Sequence, residues 1–456
     1  MVQSKGKINF IDTTIRDGNQ SLWDATGLTT AMILSIAPEM DRAGFTAVDF
    51  MTGMHMAVSV RWHKENPWEK MRLVKKAMPK TPLRFGGTGR RFMGWKRVPE
   101  SVMVLALKLI VASGVKQVWI SEPSFDVDLI LRQAEITKDA GAEKFIVALP
   151  YTISPIHDDE FYSQKTGEIA ASPNVDVMYL KDPGGLLTID RLRTLVPAIQ
   201  QRMRGLPLEI HSHCNTGLAP LVYLEALQLG IRTVHTSSSP LANGTSQPST
   251  ENIMKNVSRL GYSTELNEEA LEVIATNFRN IAESQGRPLG APVEHDVYYY
   301  EHQVPGGMLT TLKRQLSETN MEDRLEEVLK EVIQVRKELG YPIMVTPFSQ
   351  FVGSQATMNV ITGKRYSQVP TQLIEYVAGY YGTSPAPIDQ NVMDMICSQP
   401  QAKSIFSAGT NEPTIEELRQ KIGVNYSDEE FLIRLALAEK EVDDMLAAGP
   451  LKTEYP

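Results

Sequence analysis

Eight short apolar runs recur through the first half of the chain: Ile8–Ile11, Ala47–Met51, Leu83–Gly87, Gln117–Ile120, Lys144–Leu149, Val177–Leu180, Leu208–Ile210 and Thr233–Thr236. Between them, apolar residues return at helical spacing in segments such as Thr30–Ala43, Trp68–Ala77, Ser101–Ala112 and Leu218–Leu229. Several of these end at a glycine suited to a left-handed cap, as at Gly44, Gly114 and Gly230. Strands alternating with helices imply parallel pairing through helical crossovers. Eight such units in about 250 residues predict a closed α/β (β/α)8 TIM barrel rather than an open sheet. After about Gly290 the pattern changes. Leu325, Val328, Leu329, Val332, Val335 and Leu339 share one face of a long helix ended by Gly340 and followed by Pro342. Thr414 with Glu417, and Ser427 with Glu430, read as capping boxes, so the tail is expected to be ordered helix. The expected division is a barrel over 1–290 and a mainly α-helical domain over 291–456.

Polar residues interrupt the barrel pattern where strands should end, which is the face that carries active sites in this fold. Asp17 follows the first strand, Lys181 and Asp182 end the sixth, and His211-Ser212-His213 ends the seventh. Residues two apart on a strand project from one face, so His211 and His213 can bind one cation together. With Asp17 they give three ligands and leave positions open, the pattern of a catalytic metal site. A lysine ammonium cannot ligate a metal. Lys181 would have to lose its charge or become a carbamate, or else serve as a Schiff-base amine. The loop Ser237–Ser249 is rich in hydroxyls; they suit helix capping, but one such as Thr245 could instead shuttle a proton.

The net charge of −8 argues against a nucleic-acid surface. The one basic cluster, Arg90-Arg91 with Lys96-Arg97, reads as a solvated loop. Two cysteines, Cys214 and Cys397, fit a reducing compartment. A polar N-terminus and the lack of an apolar stretch of about 18 residues leave cytoplasm as the expected location.

The chain resembles the carboxyltransferase component of biotin-dependent enzymes: transcarboxylase, the oxaloacetate decarboxylase α subunit and the central domain of pyruvate carboxylase. The resemblance runs from about Asn9 to Pro387. It is carried by Asp12-Thr13-Thr14-Ile15-Arg16-Asp17 with Gln20-Ser21, Glu65-Asn66-Pro67-Trp68-Glu69, Tyr151-Thr152-Ile153-Ser154-Pro155, Leu180-Lys181-Asp182 and Thr245-Ser246-Gln247-Pro248-Ser249. In the second domain, Val304-Pro305-Gly306-Gly307-Met308-Leu309, Val345-Thr346-Pro347-Phe348-Ser349-Gln350 and Gly379-Tyr380-Tyr381-Gly382-Thr383-Ser384-Pro385-Ala386 continue it. The resemblance implies that Asp17, His211 and His213 bind a divalent cation (Zn²⁺, Mn²⁺ or Co²⁺), with Lys181 as a carbamylated fourth ligand. It implies that Gln20 contacts substrate and that Thr245 carries a proton from the acceptor carbon to the biotin nitrogen. The expected reaction moves a carboxyl group between carboxybiotin and a small oxo acid of the pyruvate or oxaloacetate type. No biotin-acceptor sequence and no ATP-grasp-type glycine loop is found. A separate biotinylated carrier and a separate biotin carboxylase subunit are therefore the expected partners, and a homodimer the expected assembly.

Four places depart from the family pattern. Asp17-Gly18-Asn19-Gln20 leans toward the hydroxymethylglutaryl lyase and isopropylmalate synthase relatives. Thr52-Gly53-Met54-His55 and Lys181-Asp182-Pro183-Gly184 replace the usual motifs after strands two and six. Thr88 stands where the family has an arginine for the substrate carboxylate, a planar fork that threonine cannot replace; Arg90 or Arg91 could supply it from a shifted position. The competing readings are a biotin-independent, metal-dependent carbon–carbon lyase or Claisen-type synthase, a Schiff-base aldolase using Lys181, and a non-enzymatic scaffold subunit.

Overall fold

The computed structural model describes residues 5–94, 97–318, 320–407 and 412–455, so Lys96 of the basic cluster lies outside the described residues. Eight parallel strands close a barrel in chain order: β1 (Asn9–Asp12), β2 (Ala47–Thr52), β3 (Leu83–Gly87), β4 (Gln117–Ser121), β5 (Lys144–Pro150), β6 (Val177–Asp182), β7 (Leu208–Ser212) and β8 (Thr233–Thr236). Closure is made by β8 pairing with β1, with Ile11 opposite His235. The expected TIM barrel is therefore the observed one. The strands read as near-continuous apolar runs because helices cover their outer face while side chains fill the inside. Gly44, Gly114 and Gly230 follow helices and hold φ of 84°, 96° and 93°, the left-handed stop expected of them.

Beyond the barrel the chain is helical. Val328, Val332 and Val335 of the helix Leu325–Glu338 pack with Phe348, Phe351 and Tyr376 in a second apolar cluster that spans Val304 to Ala402. Arg336 ties this region to the barrel: its Nη2 donates to Thr152 Oγ1 at 2.9 Å and to the Ile153 carbonyl at 3.0 Å. Gly306 marks a close approach between the two, since a Cβ there would lie 2.3 Å from Thr245 Cγ2. The tail returns to the barrel wall. Phe431, Leu432, Val442 and Met445 join the barrel's apolar cluster, and Trp68 Nε1 donates to the Glu429 carbonyl at 3.2 Å. Thr414 and Glu417 form the reciprocal capping box, and the Ser427 hydroxyl accepts from Glu430 N. Cys214 and Cys397 are both free thiols. Among the described residues no helix is long and apolar enough to cross a membrane.

Candidate active site at the barrel mouth

Strand alternation builds the site. Glu209, His211 and His213 are two residues apart along β7 and its end, so all three face the barrel interior. Lys181 of β6 lies opposite His211 in the strand register. Asp17 enters from the turn Thr14–Gly18 directly above β1, its N–H donating to the Thr13 carbonyl at 2.8 Å. These placements bring Asp17 Oδ2 to 3.1 Å from His211 Nε2 and 3.4 Å from His213 Nε2, with the two imidazole nitrogens 3.2 Å apart. Asp17, His211 and His213 are buried and form a set that could hold a metal ion.

The neighbours decide which imidazole nitrogens carry hydrogens. Glu209 accepts from His235 Nε2 at 2.8 Å, which leaves His235 Nδ1 as an acceptor facing His211 Nδ1 at 3.2 Å. His211 therefore donates through Nδ1 and turns a bare Nε2 to Asp17. His213 Nδ1 donates to the Thr245 carbonyl at 2.6 Å, so its Nε2 is bare as well. This is the supporting arrangement of a metal-ligating histidine: the outer nitrogen is tied to a carbonyl or carboxylate system and the inner lone pair is left free. Burial holds His211 well below the usual imidazole range and therefore neutral. Burial alone would raise the Asp17 carboxyl, but the Arg16 guanidinium 3.1 Å away overrides it and holds the group well below the usual carboxylate range. Arg16 is itself held by Asp49, which also accepts from Trp119 Nε1 at 2.9 Å. One carboxylate and two imidazole lone pairs, fixed before any ligand arrives, fit a divalent cation by donor type and by spacing.

Lys181 is half-buried over the Trp119 ring, 4.8 Å from its centroid. Burial, followed by the Arg16 charge, pushes its amine down to about 8. Asp182 beside it is structural, accepting from Leu186 N, Leu187 N and Ser212 Oγ. A cavity of about 400 Å³ opens above the triad, walled by Gln20, Thr88, Arg91, Lys181 and Thr245 from the barrel and by Thr346, Ser349 and Gln350 from the helical region. Gln20 is exposed on this wall. The Thr245 hydroxyl donates to the Ser21 carbonyl at 2.7 Å. Thr346, on the opposite side, has no hydroxyl hydrogen bond among the described residues.

The two arginines after β3 part ways. Arg90 turns outward to Glu412 and the Val98 carbonyl. Arg91 lines the cavity, stacked on Tyr381 at 4.4 Å, and its buried Nε has no partner among the described residues. Sequence reasoning did not single out Arg16, Asp49, Arg84, Glu209, His235 or Gln247. A signal for Arg84, Glu209 and His235 was present, since charged and imidazole residues inside apolar strand runs must be paired when buried.

Residues 299–447 match the conserved carboxylase domain family. The chain is 36% identical over 394 residues to a pyruvate carboxylase subunit of Methanocaldococcus jannaschii, covering 86% of this chain and 69% of that protein. It is 30% identical over 450 residues to the 2-oxoglutarate carboxylase large subunit of Hydrogenobacter thermophilus, covering 97% and 68%. The carboxyl transferase domain of Rhizobium etli pyruvate carboxylase, solved with oxamate and biotin, has the same fold. It superposes with a TM-score of 0.87 over 97% of this chain and 78% of that one, at 23% identity. A barrel with this polar mouth, a helical region closing over it and sequence agreement along nearly the whole chain together place the protein in the biotin-dependent carboxyltransferase family.

Proposed function

We propose that this enzyme moves a carboxyl group between carboxybiotin, presented by a separate biotinylated carrier, and a small 2-oxo acid such as pyruvate or oxaloacetate. The observation that carries this reading is the buried triangle of Asp17, His211 and His213 at the floor of the cavity. A divalent cation held there would polarise the oxo group and acidify the adjacent C–H. Zn²⁺, Mn²⁺ and Co²⁺ all suit one carboxylate and two imidazoles. The long matches to carboxylase subunits, helical region included, favour carboxyl transfer over the lyase or synthase reading.

Lys181 joins the site as a carbamate. Its amine, pushed down to about 8, keeps a free-base fraction at neutral pH. The lone pair of the neutral amine adds to carbon dioxide and the nitrogen releases one proton to solvent, which converts an uncharged amine into an anionic oxygen donor on a longer arm. Arg91 supplies the guanidinium fork for the substrate carboxylate, replacing the arginine that Thr88 lacks. Gln20 contacts substrate from the cavity wall. A threonine hydroxyl passes the proton between the acceptor carbon and the biotin nitrogen. Thr245 stands at the rim with its hydroxyl donating to the Ser21 carbonyl, whereas the Thr346 hydroxyl is free to turn. The helical region closes the mouth and keeps water from the reacting carbon. A biotin carboxylase partner would charge the carrier, and the assembly is proposed to be a homodimer.

The test is carbon dioxide release from oxaloacetate and a panel of other oxo acids, with and without free biotin. Biotin-stimulated release by the native chain, lost in Lys181→Ala, is expected. Turnover that ignores biotin, or that survives in Lys181→Ala, contradicts the proposal.

A further inference from the structure

We propose that Tyr381 is a positioning residue for Arg91: its ring, brought over from the helical region, holds the guanidinium in the plane that meets the acceptor's carboxylate. This rests on the proposal that Arg91 binds the carboxylate of a 2-oxo acid. Arg91 belongs to the loop after β3, where Gly87, Gly89 and Gly94 leave the backbone little to fix a long side chain. Its neighbours set its position instead. The guanidinium carbon lies 4.4 Å from the centre of the Tyr381 ring, and Nη1 donates to the Thr88 carbonyl at 3.3 Å. Arg91 is only 8% exposed, yet it lines the cavity. Nε and Nη2, the edge that presents two parallel N–H groups, have no hydrogen-bond partner among the described residues. Arg90 beside it is paired with Glu412, whereas Arg91 makes no ion pair among the described residues.

A buried cation in this state lacks an anion. Burial pulls the Arg91 guanidinium below its ordinary range, and the nearby Glu122 charge offsets this only in part. Glu122 is held elsewhere, its Oε1 accepting from Ser124 Oγ at 2.8 Å and from Ser124 N at 3.2 Å. A carboxylate entering the cavity supplies the missing charge and fits the open edge with two parallel hydrogen bonds. The ring that presents this edge is itself built in. Tyr381 is buried, its ring centre 6.0 Å from that of Phe348 and 6.1 Å from that of Phe351, and its hydroxyl donates to Glu375 Oε2 at 3.0 Å. The turn that carries it is pressed onto the barrel. Gly382 has φ of 86°, and a Cβ there would lie 2.5 Å from Ser124 Oγ, the same hydroxyl that donates to Glu122. The acceptor's site is thus complete only when the helical region sits on the barrel.

The experiment measures biotin-stimulated carbon dioxide release from oxaloacetate as a double-mutant cycle over Arg91→Leu and Tyr381→Leu. A contact to the carboxylate, away from the reacting carbon, is equal in ground and transition states, so its loss raises KM and spares kcat. Tyr381→Leu is expected to raise KM about 10-fold, the scale of a desolvated cation–π contact. Tyr381→Phe keeps the ring and is expected to bring KM back near native. Arg91→Leu is expected to raise KM about 10–100-fold, and adding Tyr381→Leu to it should raise KM no further. Native KM in Tyr381→Leu beside a raised KM in Arg91→Leu overturns this proposal alone, as do additive effects in the double variant. Native KM in Arg91→Leu overturns the carboxylate reading beneath it and this proposal with it. Should Tyr381→Leu not fold, pentafluorophenylalanine at position 381 keeps the ring's size and reverses the charge of its face, and native KM there overturns the proposal.

Discussion

Two buried polar layers stand one above the other in the barrel, and they are built on opposite principles. In the lower layer, Arg84 makes a bidentate pair with Glu209 at 2.7 and 2.9 Å, and Glu209 also accepts from His235 at 2.8 Å. Donors and acceptors there match within the protein, and the charges cancel. In the upper layer, a carboxylate oxygen and two bare imidazole nitrogens converge within 3.4 Å of one another, with the Gln247 amide beside them as a donor. Acceptors packed this closely repel unless something positive lies among them. The lower layer is complete in itself, and the upper one is shaped for a partner from outside. The contact between His211 Nδ1 and His235 Nδ1 joins them, so the self-sufficient layer sets the orientation of the receptive one.

The largest effect is expected from Asp17→Ala, which removes the carboxylate of the upper layer. Bound metal should fall to background by elemental analysis, and turnover should be lost, while thermal melting of the metal-free protein changes little. Next, replacing the hydroxyl that carries the proton should lower kcat by about 10²–10⁴-fold without changing metal content. Thr245→Ala and Thr346→Ala measured side by side identify which hydroxyl it is, and native kcat in both removes the shuttle. Arg84→Leu should do the reverse of Asp17→Ala. It leaves Glu209 buried without its cation and should cost about 3–5 kcal/mol in denaturant unfolding. His235→Phe removes the acceptor for His211 Nδ1, and metal affinity should drop about 10–100-fold with the fold kept.

Acid separates the layers more gently. Burial alone would raise the Glu209 carboxyl, but Arg84 holds it far below its ordinary 4.5. A depressed carboxyl contributes stability that is complete above the unfolded value and is lost only as pH falls below it. Metal ligands, in contrast, must be deprotonated, and the carbamate proposed on Lys181 is lost when it is protonated, so acid acts on the upper layer. Lowering the pH from 7 to 5 should release the cation, read by a chelating dye, while far-ultraviolet circular dichroism stays native. Loss of metal and structure together would merge the two layers into one unit.

Much of this was legible in the amino-acid order. All eight strands fall within a residue or two of the apolar runs, because a barrel strand is covered on both sides and is mostly apolar. Asp17, His211 and His213 were legible because strand ends and the two-residue repeat fix their position without knowledge of packing. What spacing could not reveal was direction. Arg90 and Arg91 are neighbours in the chain, yet one turns to Glu412 and the other into the cavity. The Thr245 hydroxyl points to a backbone carbonyl, and Thr346 reaches the cavity only because the helical region folds across the mouth. The helices after Thr414 were readable as amphipathic, but periodicity says which face is apolar and not that the barrel wall covers it. Gln247 lay within a hydroxyl-rich loop where nothing marked one amide among many polar side chains.

The most direct test is anomalous diffraction at the cobalt edge from crystals grown with Co²⁺. The account predicts one dominant peak per chain enclosed by Asp17 Oδ2, His211 Nε2 and His213 Nε2. A map with no peak among those three atoms, at a concentration where other sites on the protein are filled, would contradict it.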